Sequence, residues 1–316
     1  MRTLAHLYRL FPNFGDYYDF PSFLKIGIPS YAKYWLRATN NVRPSHVNIE
    51  LTNHCNLKCK ICNHNVGFKR SMGYMKESVH KAAIDGSSEI PSLAYTGVGE
   101  PLLHPRFFEL IEYTIKKRPV RCGLSTNALL ITEKNAERLI NVGFRFIQVS
   151  MDGMDEVYEN IRGVSFIKFE RHLKTLIEAK KATKSKTKIY LSVTVADENV
   201  YKQLPEINRR FSSLLDYIWI RPVQTVGMPT EYRRTLPRCL QLFFAPVVFW
   251  DGTINACCSD HDNHFNVGQC KETTISEAFN SPLIVKLRRD IFSGTFVPPC
   301  DSCGEVLFGN MKYFWS

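Results

Sequence analysis

The sequence contains no run of about eighteen apolar residues, which excludes a conventional membrane-crossing helix. It has no low-complexity tract, no arginine-rich arm and no interleaved basic–aromatic segment, so the usual signatures of disorder and of nucleic-acid binding are missing. Its opening stretch, MRTLAHLYRLFPNF, carries His6 and Arg9 where a secretory signal needs an unbroken apolar core. A cytoplasmic setting is therefore expected. What is abundant is cysteine: ten residues, which in a reducing compartment point to metal or redox chemistry more than to disulfides. The formal charge of +11 is drawn in part from EAKKATKSKTK (178–188), which reads as the solvated end of a helix. The charge thus fits a basic surface or an anionic small substrate, with neither nucleic acid nor membrane expected as partner.

From residue 46 onward, short β-branched runs alternate with helical patterns. Segments 46–52, 93–97, 121–127, 146–152, 188–196 and 217–223 read as buried strands. Segments 105–117, 132–143 and 166–181 read as helices, with Thr132 placed to cap the second and Gly143 to end it. Strands separated by helical segments imply a parallel α/β sheet, here a partial barrel short of eight units, whose chemistry collects at the carboxyl ends of the strands. Past Arg221 the pattern changes. Residues 243–258 read as a hairpin turning at Asp251–Gly252, and 274–292 as a helix broken near Pro282. The expected division is an N-terminal extension (1–45), a barrel (46–225) and a small C-terminal module (226–316). Leu4, Leu7, Leu10 and Phe11 would share one side of a short helix packed on the barrel.

Directly after the first strand, LTNHCNLKCKICNH places Cys55, Cys59 and Cys62 in C-x3-C-x2-C spacing. Three thiols do not close the four-ligand tetrahedron of a structural zinc site. A cubane has four irons, so three thiolates leave one iron open to an exchangeable ligand. These residues resemble the cluster loop of the radical S-adenosylmethionine (SAM) enzymes, and further resemblances follow in order at strand ends. TGVGEPLLHP (96–105) resembles the segment that meets the SAM amino group, implicating Gly97, Gly99 and Glu100. STN (125–127) resembles the ribose-contacting segment, through Ser125 and Asn127. SMDG (150–153) and YENIRG (158–163) resemble the next strand end and its arginine, implicating Ser150, Asp152 and Arg162. Ile61 stands before the third cysteine, where the family usually has an aromatic residue, and its backbone would face adenine. The resemblance covers roughly residues 46–223. It implies a partial (β/α)6 TIM-like barrel, a SAM-binding [4Fe-4S] cluster on Cys55, Cys59 and Cys62, reductive cleavage of SAM to a 5′-deoxyadenosyl radical, and an electron donor such as flavodoxin or ferredoxin.

Cys239, then twelve residues, Gly252, four residues and Cys257 resemble the first half of the auxiliary-cluster module called SPASM. With Cys300 and Cys303 they resemble its shortened "twitch" form, implying one auxiliary [4Fe-4S] cluster held by four thiolates. A four-cysteine zinc site is the local rival. Hydrogen abstraction from a small, carbohydrate-like substrate is the expected activity, ending in dehydrogenation or epimerisation. Cys258 is a candidate hydrogen donor and Arg221 a candidate anchor for an anionic substrate group. Two alternatives stand beside it: a peptide-modifying maturase of the same family, and a zinc-stabilised nucleic-acid-binding protein, which would leave the three-cysteine loop unexplained. Cys122 and Cys270 read as buried structural residues, His54 and His64 as solvated or packed, His104 as a helix start, and WDG (250–252) as turn chemistry.

Overall fold

The computed structural model describes residues 23–65, 68–117, 121–222, 239 and 241–303. Leu4, Leu7, Leu10 and Phe11 lie outside them. Strands β1 (Val47–Ile49), β2 (Ser92–Tyr95), β3 (Arg121–Thr126), β4 (Phe146–Met151), β5 (Lys188–Val195) and β6 (Tyr217–Pro222) stand side by side in chain order, each parallel to the next. Parallel neighbours demand crossovers, and helices supply them. After α1 (Ile28–Trp35), these are α2 (Glu77–Asp85), α3 (Phe107–Lys117), α4 (Glu133–Asn141), α5 (Asp155–Arg162), α6 (Phe166–Thr183) and α7 (Glu198–Phe211). The result is the partial (β/α)6 barrel that the alternation predicts.

The helices cover one face of the sheet. In α6, Phe166, Phe169, Leu173, Leu176 and Ile177 recur at helical spacing and are buried. They meet Leu124, Ile147, Val149, Ile189, Leu191 and Val193 in the main core. Since successive strand residues point to opposite faces, Ser125, Gln148, Ser150, Tyr190, Ser192 and Thr194 face the barrel interior.

The C-terminal module comprises α8 (Gln241–Phe244), β7 (Val247–Val248), β8 (Thr253–Asn255), β9 (Asn266–Gln269), α9 (Ile275–Ala278) and α10 (Pro282–Ser293). The hairpin is shorter than its sequence suggests: Gln241–Phe244 is helical, and β7 pairs with β8 only over Val247–Val248 and Ile254–Asn255. β7 pairs parallel with β1, the amides of Asn48 and Glu50 donating to the carbonyls of Pro246 and Val248 at 3.0 and 2.9 Å. The long C-terminal helix divides as expected. Pro282 cannot donate to a preceding turn and opens α10 instead.

Two sets of contacts cross the expected divisions. One is the β1–β7 pairing. The other joins α1 and its following loop to the C-terminal module, where Tyr34 and Val42 share a core with Phe243, Phe279, Ile284 and Leu287. Arg288 secures that junction. It is fully buried and donates to the carbonyls of Thr39, Leu242 and Phe279 at 2.8–2.9 Å, and burial brings its pKa down to about 9.

Candidate active site

The cysteine loop leaves β1 and is fixed at five points. Lys60 N–H donates to the Ile161 carbonyl at the end of α5 (2.8 Å), and Glu100 N–H to the His54 carbonyl (2.8 Å). Asn127 Nδ2 donates to Asn56 Oδ1 at 2.8 Å, and His64 Nε2 meets the Asn53 carbonyl at 3.0 Å. The fifth anchor is steric. A Cβ on Gly99 would fall 2.4–2.7 Å from the Thr52 and His54 carbonyl oxygens and the Asn53 carbonyl carbon, so the loop backbone occupies the space any side chain would need. Gly97 faces Glu50 in the same way, at 2.6 Å.

All three thiols are half-buried. Burial pushes the Cys55 thiol up to about 11 and raises Cys59 and Cys62 as well. The Arg162 guanidinium opposes the rise at Cys59 and Cys62. A buried cation beside two of the three thiols fits a centre that binds them as thiolates. Arg162 is itself held by Asp152, Nη2 and Nε standing 2.6 and 2.9 Å from Asp152 Oδ2. Asp152 Oδ1 accepts from the Thr194 amide at 3.2 Å, which ties the pair to β5. The two residues expected to face SAM therefore also orient one another.

Glu100 is buried behind the loop. Its carboxylate accepts from Thr126 Oγ1 (2.8 Å), Asn127 N–H (2.7 Å) and Leu102 N–H (3.2 Å). Burial nevertheless outweighs these donors and lifts its pKa to about 7. Ser125 Oγ accepts from Gln148 Nε2 at 3.2 Å. Gln148 Oε1 accepts from Tyr190 OH at 3.0 Å, and the Tyr190 ring stacks on Tyr217 with centroids 4.2 Å apart. These four residues share one register across β3, β4, β5 and β6, forming a polar rung inside the barrel. Ile61 packs against the main core, Ser150 is half-buried on the interior face, and Arg221 is the penultimate residue of β6, with its guanidinium 5.5 Å from the Trp219 ring centroid.

In the C-terminal module, Cys239, Cys257, Cys300 and Cys303 line one cavity with Gln241, Leu242, Ile291 and Phe296. Burial raises the Cys239 thiol well above its ordinary value, and the other three thiols add to the rise. Among the described residues no group of three or more ligand-type side chains converges on a single-ion site. Four thiols around a common apolar cavity are the ligand set of the auxiliary cluster that the sequence analysis expects. Cys258 Sγ lies 3.8 Å from Gln241 Oε1, beside that cavity.

Arg70 has no counterpart in the sequence analysis. It forms a bidentate pair with the buried Glu50, both contacts at 2.9 Å. It also donates to the His261 carbonyl at 2.6 Å and lies 3.6 Å over the Phe249 ring. Trp250 does more than mark a turn: it fills the space beside Gly73 and donates to the Ser71 carbonyl at 3.2 Å. His104 precedes its helix, holding the Met75 carbonyl at 3.0 Å, and His54 stacks on Tyr74. Cys122 and Cys270 are buried as expected.

A partial barrel with three thiols at the carboxyl end of its first strand, and four more in an attached module, defines an iron–sulfur enzyme built to use SAM. The chain belongs to the radical SAM superfamily, in the group that carries a SPASM module: residues 49–202 match the Radical SAM superfamily and residues 239–304 match SPASM, an iron-sulfur cluster-binding domain. The chain is similar to the tungsten-containing aldehyde ferredoxin oxidoreductase cofactor-modifying protein of Pyrococcus furiosus, at 31% identity over 52% of this chain and 48% of that one. It is 34% identical to the mycofactocin maturase MftC of Mycobacterium tuberculosis, over 55% of this chain and 44% of the relative. These alignments span less than half of either relative. The solved structure of BtrN in complex with AdoMet and 2-DOIA shares the fold, with a TM-score of 0.59, 17% identity and coverage of 83% of this chain and 93% of that one. SAM and [4Fe-4S] clusters are accordingly the cofactors. Among the described residues no helix is long and apolar enough to cross a membrane.

Proposed function

We propose that the protein abstracts a hydrogen atom from a small, carbohydrate-like substrate held in the barrel, leading to dehydrogenation or epimerisation. The observation that carries this reading is the polar interior face. A parallel sheet covered on both sides is ordinarily apolar throughout, yet here Ser125, Gln148, Tyr190, Ser150, Ser192 and Thr194 line one side, with Trp219 beside them. Hydroxyls and amides fixed on strands suit a substrate rich in hydroxyls. When bound, the first cluster and SAM supply the hydrogen-abstracting radical, and an external one-electron donor such as flavodoxin or ferredoxin supplies the electron. In this reading the chain's own residues hold and orient. Glu100 receives the SAM amino group, Arg162 and Asp152 fix the loop side, Ser125, Asn127 and Ser150 receive polar groups of SAM, and the backbone of Ile61 faces adenine. The four-thiol module takes the electron in the dehydrogenase branch, whereas the epimerase branch requires a donor such as Cys258.

Incubating the reduced protein with SAM and panels of sugars and aminocyclitols is expected to yield 5′-deoxyadenosine above the substrate-free level. The product is either 2 Da lighter or labelled from deuterated solvent; the first result marks oxidation and the second epimerisation. A peptide substrate is the second reading, favoured by the identity to a mycofactocin maturase. Stimulation by peptides and by no carbohydrate would replace the first reading with the second.

Glu100 also predicts a pH dependence. With its pKa raised to about 7 in the SAM-free protein, the carboxyl is mostly neutral at pH 6. An incoming ammonium group favours the carboxylate, so binding releases a proton and weakens as pH falls below 7. SAM affinity, measured by equilibrium dialysis, is expected to drop up to about tenfold per pH unit on the acid side and to level off above pH 8. Glu100→Gln should abolish that slope; an unchanged slope would remove Glu100 from the SAM site.

A further inference from the structure

Of the arginines around the barrel mouth, Arg70 is paired with Glu50 and Arg162 with Asp152. Arg221 has no carboxylate partner among the described residues, and its buried Nε has no hydrogen-bond partner among them either. One strand away, Ser192 is fully buried and its Oγ is likewise without a partner among the described residues. Unmade hydrogen bonds of this kind are uncommon because each costs stability, and two on one interior patch call for a common explanation. Register brings them together. On adjoining β5 and β6, Ser192 stands opposite Trp219, and Thr194 stands opposite Arg221. Trp219 is thus the register neighbour of Ser192, and its ring centroid lies 5.5 Å from the Arg221 guanidinium, so an apolar ring stands beside both orphaned groups.

The geometry points to a subsite for an acidic carbohydrate, with the sugar ring against Trp219, its carboxylate or phosphate on Arg221, and one hydroxyl hydrogen-bonded to Ser192. This rests on the carbohydrate reading above and adds a charge requirement to it. A guanidinium is suited to both anions because its planar fork matches either. Asp152 is paired with Arg162 and accepts from the Thr194 amide, and it makes no ion pair with Arg221 among the described residues.

The test is protection of Arg221 from phenylglyoxal, read by peptide mass spectrometry on the anaerobically reconstituted full chain with SAM present. D-glucuronate or D-glucose 6-phosphate is expected to slow labelling about fivefold at a few times its dissociation constant, and D-glucose is not. Whichever acid protects at lower concentration identifies the anion. Ser192→Ala removes only the hydroxyl, and it should raise the concentration needed about tenfold without changing labelling of the ligand-free protein. Full protection by SAM alone would assign Arg221 to the cofactor and overturn the subsite. So would equal protection by glucose, or no protection by any anion. Protection by the dipeptide Ala-Ala but not by either sugar acid would overturn the carbohydrate reading while leaving Arg221 as an anion anchor.

Discussion

Replacing Cys55, Cys59 and Cys62 together by alanine is expected to lower bound iron from about eight to about four per chain and to abolish SAM cleavage. The wild-type figure follows from two cubanes, one on the three-thiol loop and one on Cys239, Cys257, Cys300 and Cys303. The variant figure follows because the two thiol sets occupy separate elements, the loop after β1 and the cavity beside α8 and α10. Losing one set should leave the other intact. Iron, acid-labile sulfide and zinc are measured on anaerobically reconstituted protein, with 5′-deoxyadenosine followed in parallel. The complementary Cys239→Ser/Cys257→Ser variant is expected to keep about four irons and the capacity to cleave SAM. About four irons with one zinc in the wild type would mean that the module carries no electron acceptor, which favours a redox-neutral outcome such as epimerisation. Zinc without iron would overturn both centres. If the triple variant loses all its iron, the two sites are not independent.

Much of the frame was legible because its signals are local. Runs such as FIQVSMD and KIYLSVTVA announce strands through β-branched residues, and C-x3-C-x2-C is read within one loop. The same runs also held a signal that went unused. Gln148, Ser150, Tyr190, Ser192 and Thr194 alternate with apolar residues, which is the pattern of a sheet with one wet face. A fully buried strand would show no such alternation. Other features have no local signature at all. Tyr34 joins a core with Phe243 and Phe279 across more than half of the chain, and Arg288 reaches the Thr39 carbonyl. The hairpin ran short because Gln241–Phe244 winds into a helix, leaving only Val247–Val248 to pair with β8 on one edge and with β1 on the other. Arg70 carries no motif, and nothing near it in sequence shows that its carboxylate partner is Glu50, twenty positions earlier.

That last pair carries the other large expected effect. Arg70→Ala should destabilise the protein by about 3–5 kcal/mol, because it strands the Glu50 carboxylate in a site where its side chain is 0% exposed. Among the described residues, Glu50 would then retain only the Val98 amide as a donor, at 3.3 Å. In thermal unfolding of reconstituted protein this corresponds to a fall in midpoint of roughly 5–8 °C. Electrostatics is only part of the loss. Arg70 also joins the segment after the cysteine loop to the His261 carbonyl and the Phe249 ring, both in the module that pairs with the barrel through β7. The double variant Glu50→Leu/Arg70→Met separates the two contributions. Replacing a buried pair by apolar groups of similar size is often nearly neutral. The double variant should therefore recover most of the midpoint, yet still show faster amide exchange across 247–255, where the seam with β1 has lost its clamp. Full recovery of both midpoint and exchange would reduce Arg70 to a counter-ion for Glu50. A loss below about 1 kcal/mol in Arg70→Ala, the range of a surface pair, would show that the carboxylate is never stranded and that the clamp does not hold the module to the barrel.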